Sequence, residues 1–177
     1  MNKQRKTILV ITTVLTIALL TTAGVYAVFI TNFEGFAINT SAEGLVIPSA
    51  QLSSPFIPND WRIEQNNGDY ISLSNHILAS NRCNAALIVR MDEPHSAVRF
   101  NFGTDPSVVV LKVDAWMGAP GPGTLVFSKN FNGVNIGSPV GMLEGVARVS
   151  GLGDFDHLVI YTIGGCMAMD NLTVRGN

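Results

Sequence analysis

The sequence predicts an all-β fold, an antiparallel β-sandwich of jelly-roll type, and three observations carry that prediction. From residue 28 onward the apolar residues alternate in short runs instead of recurring at helical spacing. Gly, Pro, Asn, Asp and Ser interrupt those runs at intervals of about ten residues, as in DEP, GTDP, GAPGPG, FNG and GLGD. The clearest run, Ala97 to Phe102, alternates strictly, with Val98, Phe100 and Phe102 on one face and Arg99 and Asn101 on the other. Many short strands at such spacing make a sandwich, whereas a parallel α/β sheet needs intervening helices.

The first 27 residues stand apart. Lys3, Arg5 and Lys6 form a basic flank, an uncharged run follows, and Val25-Tyr26-Ala27 supplies the small residues that a signal peptidase reads. Residues 1–27 are expected to be a signal peptide. The alternative is an uncleaved anchor, because Thr7 to Ile30 is 24 residues without a charge. Either reading places residues 28–177, a single sandwich domain, outside the cytoplasm, secreted or membrane-anchored and facing outward.

The expected strands then follow in order. Ile30–Phe36 and Tyr70–Leu73 come first, separated by an irregular stretch, 37–69, broken by Pro48, Pro55 and Pro58. Ala85–Met91, Ala97–Phe102, Ser107–Trp116, Thr124–Ser128, Glu144–Ser150, Phe155–Ile163 and Met167–Val174 complete the set. In Ser107–Trp116, Val109, Leu111 and Val113 alternate with Lys112 and Asp114, the pattern of a half-buried strand. The chain stops three residues after the last expected strand, so a single domain without a C-terminal anchor is expected.

Removing Lys3, Arg5 and Lys6 with residues 1–27 takes the formal net charge from −2 to −5. Such a balance argues against nucleic acid or an anionic membrane as partner, since both need clustered basic residues. The only cysteines are Cys83 and Cys166. In an oxidising compartment two cysteines of one small domain pair, so a disulfide is expected. Neither has a Cys or His neighbour at zinc-ligand spacing.

The order ITNFEGF, AVRFNFG, VVVLKVDAW, EGVARVSGLGDFDHLVI and AMDNLTV resembles exported bacterial jelly-roll modules of the galactose-binding-like class, which include carbohydrate-binding modules. The resemblance spans nearly all of residues 30–174. It implies that the first and last strands are neighbours and that a structural calcium ion, Ca2+, lies between them. Carried over, the ligands are Glu34 and Asp170, with Asp69 or the carbonyls of Asn66-Asn67-Gly68 completing an oxygen shell. The alternative is that Asp170 accepts hydrogen bonds from nearby loop amides while Glu34 is exposed. Alternation along the last strand places Asp170 with Cys166, Ala168 and Leu172.

Sugar binding needs an exposed aromatic ring flanked by polar groups. Trp61, Trp116 and Tyr70 are the ligand-binding candidates, with Trp61 the better surface candidate and Trp116 ending a strand before GAPGPG. The related modules often carry Tyr-Asp where this chain has Trp116-Met117. Catalysis is not expected. No serine sits in a nucleophile elbow, no histidines are spaced for zinc, and of His76, His95 and His157 the last two lie in or beside loops. The expected function is that of a monomeric, non-catalytic exported module binding a polysaccharide or cell-surface glycan. A structural or adhesive surface protein is the alternative, and a hydrolase using the histidines comes third.

Overall fold

The computed structural model describes residues 28–54, 60–108 and 110–175. The signal or anchor segment, 1–27, lies outside the described residues. The described residues form ten strands: β1 Val28–Thr31, β2 Val46–Ile47, β3 Ala50–Ser53, β4 Trp61–Gln65, β5 His76–Ser80, β6 Leu87–Thr104, β7 Val110–Met117, β8 Thr124–Phe131, β9 Leu143–Ile163 and β10 Met167–Arg175. All pairings are antiparallel.

The sandwich arises because β6 and β9 are long enough to serve both of its sheets. The second part of β6, Ala97–Thr104, pairs with Leu143–Ser150 of β9 and with β10. With β5 and β4 beyond β10, and β1 along the far half of β10, these strands form the first sheet. The first part of β6, Leu87–Arg90, pairs with His157–Ile160 of β9, and β3, β7 and β8 extend the second sheet. Between the two halves the register shifts on both sides of His95. Opposite that bend, Gly151 and Gly153 take φ values of 78° and 113°, which a side chain would resist. A strand that changes sheets needs such a break.

Inward-facing residues of both sheets meet in one core. Val98, Phe100 and Phe102 of β6 meet Ala147 and Val149 of β9, Met167 and Met169 of β10, and Trp61 and Ile63 of β4. From the second sheet come Leu52, Leu87, Val89, Leu111, Val113, Ala115, Leu158 and Ile160. Burying each large apolar side chain contributes about 1.5–3 kcal/mol.

Three sequence expectations are corrected. The stretch 37–69 holds β2, β3 and β4, with Pro48 falling between β2 and β3. Tyr70–Leu73 is a turn segment, and the neighbouring strand is β5. The separate strands expected on either side of residues 92–96, and of 151–154, are each one continuous bent strand.

Cys83 and Cys166 form the expected disulfide, closing 83 residues of chain. It ties the loop after β5 to the start of β10. Asp105 supports this corner: the Cys166 amide donates to its Oδ2 at 2.7 Å and the Ser107 amide to its Oδ1 at 2.9 Å. Desolvation pushes the Asp105 carboxyl up, but the Ser107 and Cys166 bonds outweigh it and hold the group below its usual range. In the chain-entropy model a loop of this length contributes about 4–5 kcal/mol. Calorimetry of the reduced protein, or of a Cys83→Ser, Cys166→Ser variant, is expected to show a melting temperature lower by roughly 10 °C.

Candidate functional site

The segment Asn66–Asn75 lies across the outer face of the first sheet and forms a second, smaller core with it. Leu73 packs with Ile77, Ala79 and Ala168, and Tyr70 covers them. The Tyr70 ring rests against Gly103: a Cβ there would fall 2.2 Å from the ring, so only glycine lets the segment approach. Burial, more than the nearby carboxylates, pushes the Tyr70 phenol up to about 12 and keeps it neutral.

Two fully enclosed carboxylates hold the segment's backbone. Glu144, near the start of β9, accepts the Ile71 amide at 2.7 Å, the Ser72 amide at 2.6 Å and the Ser72 hydroxyl. Asp170 of β10 accepts the Ser74 amide at 2.9 Å and the Ser74 hydroxyl at 2.6 Å. The Asn171 amide and its side-chain Nδ2 complete the set at 2.6 and 2.9 Å. Each acid is therefore saturated with donors, which offsets the cost of burying its charge. Asn66 closes the segment on itself, donating to the carbonyls of Tyr70 and Leu73 and accepting from Gly68 and Tyr70.

Asp170 shares the face of Ala168, as alternation requires, but that face is the outer one, opposite Met167 and Met169. Leu172 does not share it. The β6–β10 register shifts between Asp170 and Thr173, and Asn171 takes φ 52°, so a bulge turns Leu172 into the main core.

Strand β1 pairs with β10, so the first and last strands are neighbours as expected. Exposed Glu34 follows β1 and accepts the His76 amide at 3.0 Å, two residues from the amide that Asp170 holds. The His76 amide lowers the Glu34 carboxyl against a weaker opposing desolvation. Between the two acids sits the Ser74 hydroxyl, 2.6 Å from Asp170 Oδ2, 3.3 Å from the His76 carbonyl and 3.5 Å from the Asn32 carbonyl. The single Ser74 hydroxyl proton thus has three oxygens within reach. Asp69 lies elsewhere in the segment, its carbonyl accepting from the Ser138 hydroxyl at 2.7 Å.

The aromatic candidates are placed differently from one another. Trp61 faces the core and is 0% exposed, which corrects its expected surface position. It stands on β4, where alternation with Arg62 directs it inward alongside Ile63. Tyr70 is the plug described above. Trp116 is half-buried on the outer face of the second sheet, and its indole Nε1 finds no hydrogen-bond partner among the described residues.

Strand pairing sets polar and aromatic groups on the same face as Trp116. It stands opposite His157, which stands opposite Arg90, in one row across β7, β9 and β6. Along β7 the same face carries Asp114 and Lys112, and Lys112 pairs with Tyr161. The Lys112 ammonium lies 5.6 Å from the Tyr161 ring centre and 3.6 Å from Asp114. Next to His157, Asp156 Oδ1 contacts the ring Nδ1 at 2.8 Å and accepts the Gly118 amide at 2.7 Å. Sequence reasoning missed Tyr161, Lys112 and Asp114 as companions of Trp116, since only the ladder register brings them together. It missed Glu144 as well, whose one signal is an acid entering the alternating run Val146–Val149.

The other histidines do not join this face. His95 is 0% exposed at the bend of β6, contrary to a loop position, with both ring nitrogens unpartnered among the described residues. His76 Nδ1 lies 3.1 Å from the Phe36 carbonyl.

No family model and no curated protein matches the sequence. Solved structures do. The K2 cleaved adhesin domain of Lys-gingipain superposes with a TM-score of 0.56 at 12% identity, covering 84% of this chain and 97% of that one. The K3 adhesin domain of the same protein, from Porphyromonas gingivalis, gives 0.46 at 8% identity over 83% and 98% of the two chains. A family 29 carbohydrate binding module gives 0.41 at 14% identity over 85% and 91%. The likeness to the K2 domain agrees with the fold seen here, an antiparallel β-sandwich of jelly-roll type.

Replacing Glu144 by Ala strips the Ile71 and Ser72 amides of their acceptor while leaving them covered. A loss of about 2–4 kcal/mol in chemical denaturation is expected, with new protease cleavage confined to 66–75.

Proposed function

We propose that this chain is an extracytoplasmic, non-catalytic binding module whose ligand is a glycan. The observation that carries the reading is the outer face of the second sheet. There Trp116 and Tyr161 present ring surface among Lys112, Asp114, Arg90 and His157. A pyranose offers an apolar face to an aromatic ring and hydroxyls to surrounding polar side chains, and this face supplies both. Strand-borne side chains are also held rigidly, which limits the entropy lost on binding. A family 29 carbohydrate binding module of similar outline has been solved with mannohexaose. A neutral oligosaccharide such as mannohexaose is therefore a reasonable first probe. Calorimetric titration is expected to show binding that weakens at least tenfold in Trp116→Ala and Tyr161→Ala, with melting temperature little changed. Silence of the wild-type protein across a diverse glycan array favours the alternative, a structural or adhesive surface module.

A structural calcium ion is the second part of the proposal. Glu34, Asp170, Ser74 Oγ and the carbonyls of Asn32 and His76 would hold it, where one hydroxyl proton now serves several oxygens. When bound, the ion would neutralise the acids and pin the segment 66–75 to both terminal strands. Melting in calcium against chelator is expected to separate by several degrees, and Glu34→Gln to shrink the difference. An unchanged midpoint leaves Asp170 as a backbone acceptor only.

A further inference from the structure

The 66–75 segment covers only part of the first sheet's outer face. The remainder carries Arg99 of β6, Arg148 of β9 and Arg175 of β10, all exposed. Arg99 stands directly opposite Arg148, and Arg175 stands opposite Ala97, two residues along β6, so the three share one face. With Ala97, Ser150 and Thr173 they line a shallow depression of about 320 Å³. These are three of the eight basic residues beyond residue 27. Among the described residues, none of them forms an ion pair with a carboxylate.

Like charges directly opposite each other on adjacent strands destabilise a sheet. Nothing within the described chain relieves the repulsion, so an anion from outside is its natural complement. We propose that this depression binds the carboxylate or sulfate groups of an acidic polysaccharide. Neighbouring strands stand about 4.8 Å apart, which spreads the guanidinium groups over roughly 10 Å, a span suited to charged groups on successive sugar units. Guanidinium forks pair with such oxyanions through two parallel hydrogen bonds. The Ser150 and Thr173 hydroxyls add polar contacts at the walls. Nucleic acid fits less well, because no aromatic ring lines the depression for base stacking and the rest of the chain is acidic. The site lies on the opposite sheet from Trp116 and does not depend on the neutral-glycan reading.

The test is a titration of the full chain with a sulfated oligosaccharide, an oligogalacturonate, mannohexaose and a single-stranded DNA of matched charge. At least one acidic oligosaccharide is expected to bind, with affinity falling as salt rises. Arg148→Gln is expected to weaken that binding about tenfold, and Arg99→Gln combined with Arg148→Gln to remove it, while any mannohexaose binding is retained. The double variant is also expected to melt about 1–3 °C higher, since it loses the Arg–Arg repulsion. The proposal is overturned if wild-type protein binds neither acidic oligosaccharide, or if the double variant binds them unchanged. It is equally overturned if DNA binds as tightly, or if the double variant melts lower, which would make the arginines part of the fold.

Discussion

A charged carboxylate under a protein surface is tolerable only when its oxygens are filled, and here two such carboxylates organise one side of the molecule. Glu144 takes the Ile71 and Ser72 amides and Asp170 takes the Ser74 amide, so three backbone donors of one turn segment end on the two acids. That segment has no strand partner to satisfy its N–H groups. The acids take the place of a strand, and the energetics are asymmetric. Each bond contributes modestly, but an amide left unpaired under cover costs its full desolvation. The placement of Tyr70 over Gly103, of Leu73 over Ala168, and of Ser74 between Glu34 and Asp170 follows from those anchors.

The covering of one part of the sheet defines what is left open. Beyond the segment, the first sheet shows its arginines, and the second sheet shows Trp116, Tyr161 and Lys112. Both faces rest on the same device, the passage of β6 and β9 from one sheet to the other, with Gly151 and Gly153 at the turn. One pair of strands therefore carries Arg99 and Arg148 on one face and Arg90, His157 and Tyr161 on the other. The ends of the sandwich are closed separately, by the Cys83–Cys166 disulfide and the β1–β10 pairing.

Much of this was legible from residue order. Strict alternation in Ala97–Phe102 located the core face of β6, and the cysteines announced their bond. The neighbourhood of the first and last strands came from resemblance and agrees with the β1–β10 ladder. What escaped was whatever depends on a break in periodicity or on register between distant strands. Counting by twos put Leu172 beside Asp170, and the bulge at Asn171 undoes that count. The prolines of 37–69 masked β4, so Trp61 looked like a surface residue when its strand turns it into the core. Charge totals suggested no basic cluster, because Arg99, Arg148 and Arg175 are far apart in sequence and meet only through pairing. A lone Glu at the head of β9 gave no hint that its partners lie more than seventy residues earlier.

Buried carboxylates, in place of a strand, satisfy the backbone amides of Ile71, Ser72 and Ser74. Residue-resolved amide hydrogen exchange tests it most directly. The amides of Ile71, Ser72 and Ser74 are expected to exchange as slowly as those at the centre of β6, although they lie in a turn, and the first two are expected to be released in Glu144→Ala. Exchange of all three at the rate of an exposed loop in the wild-type protein would contradict it.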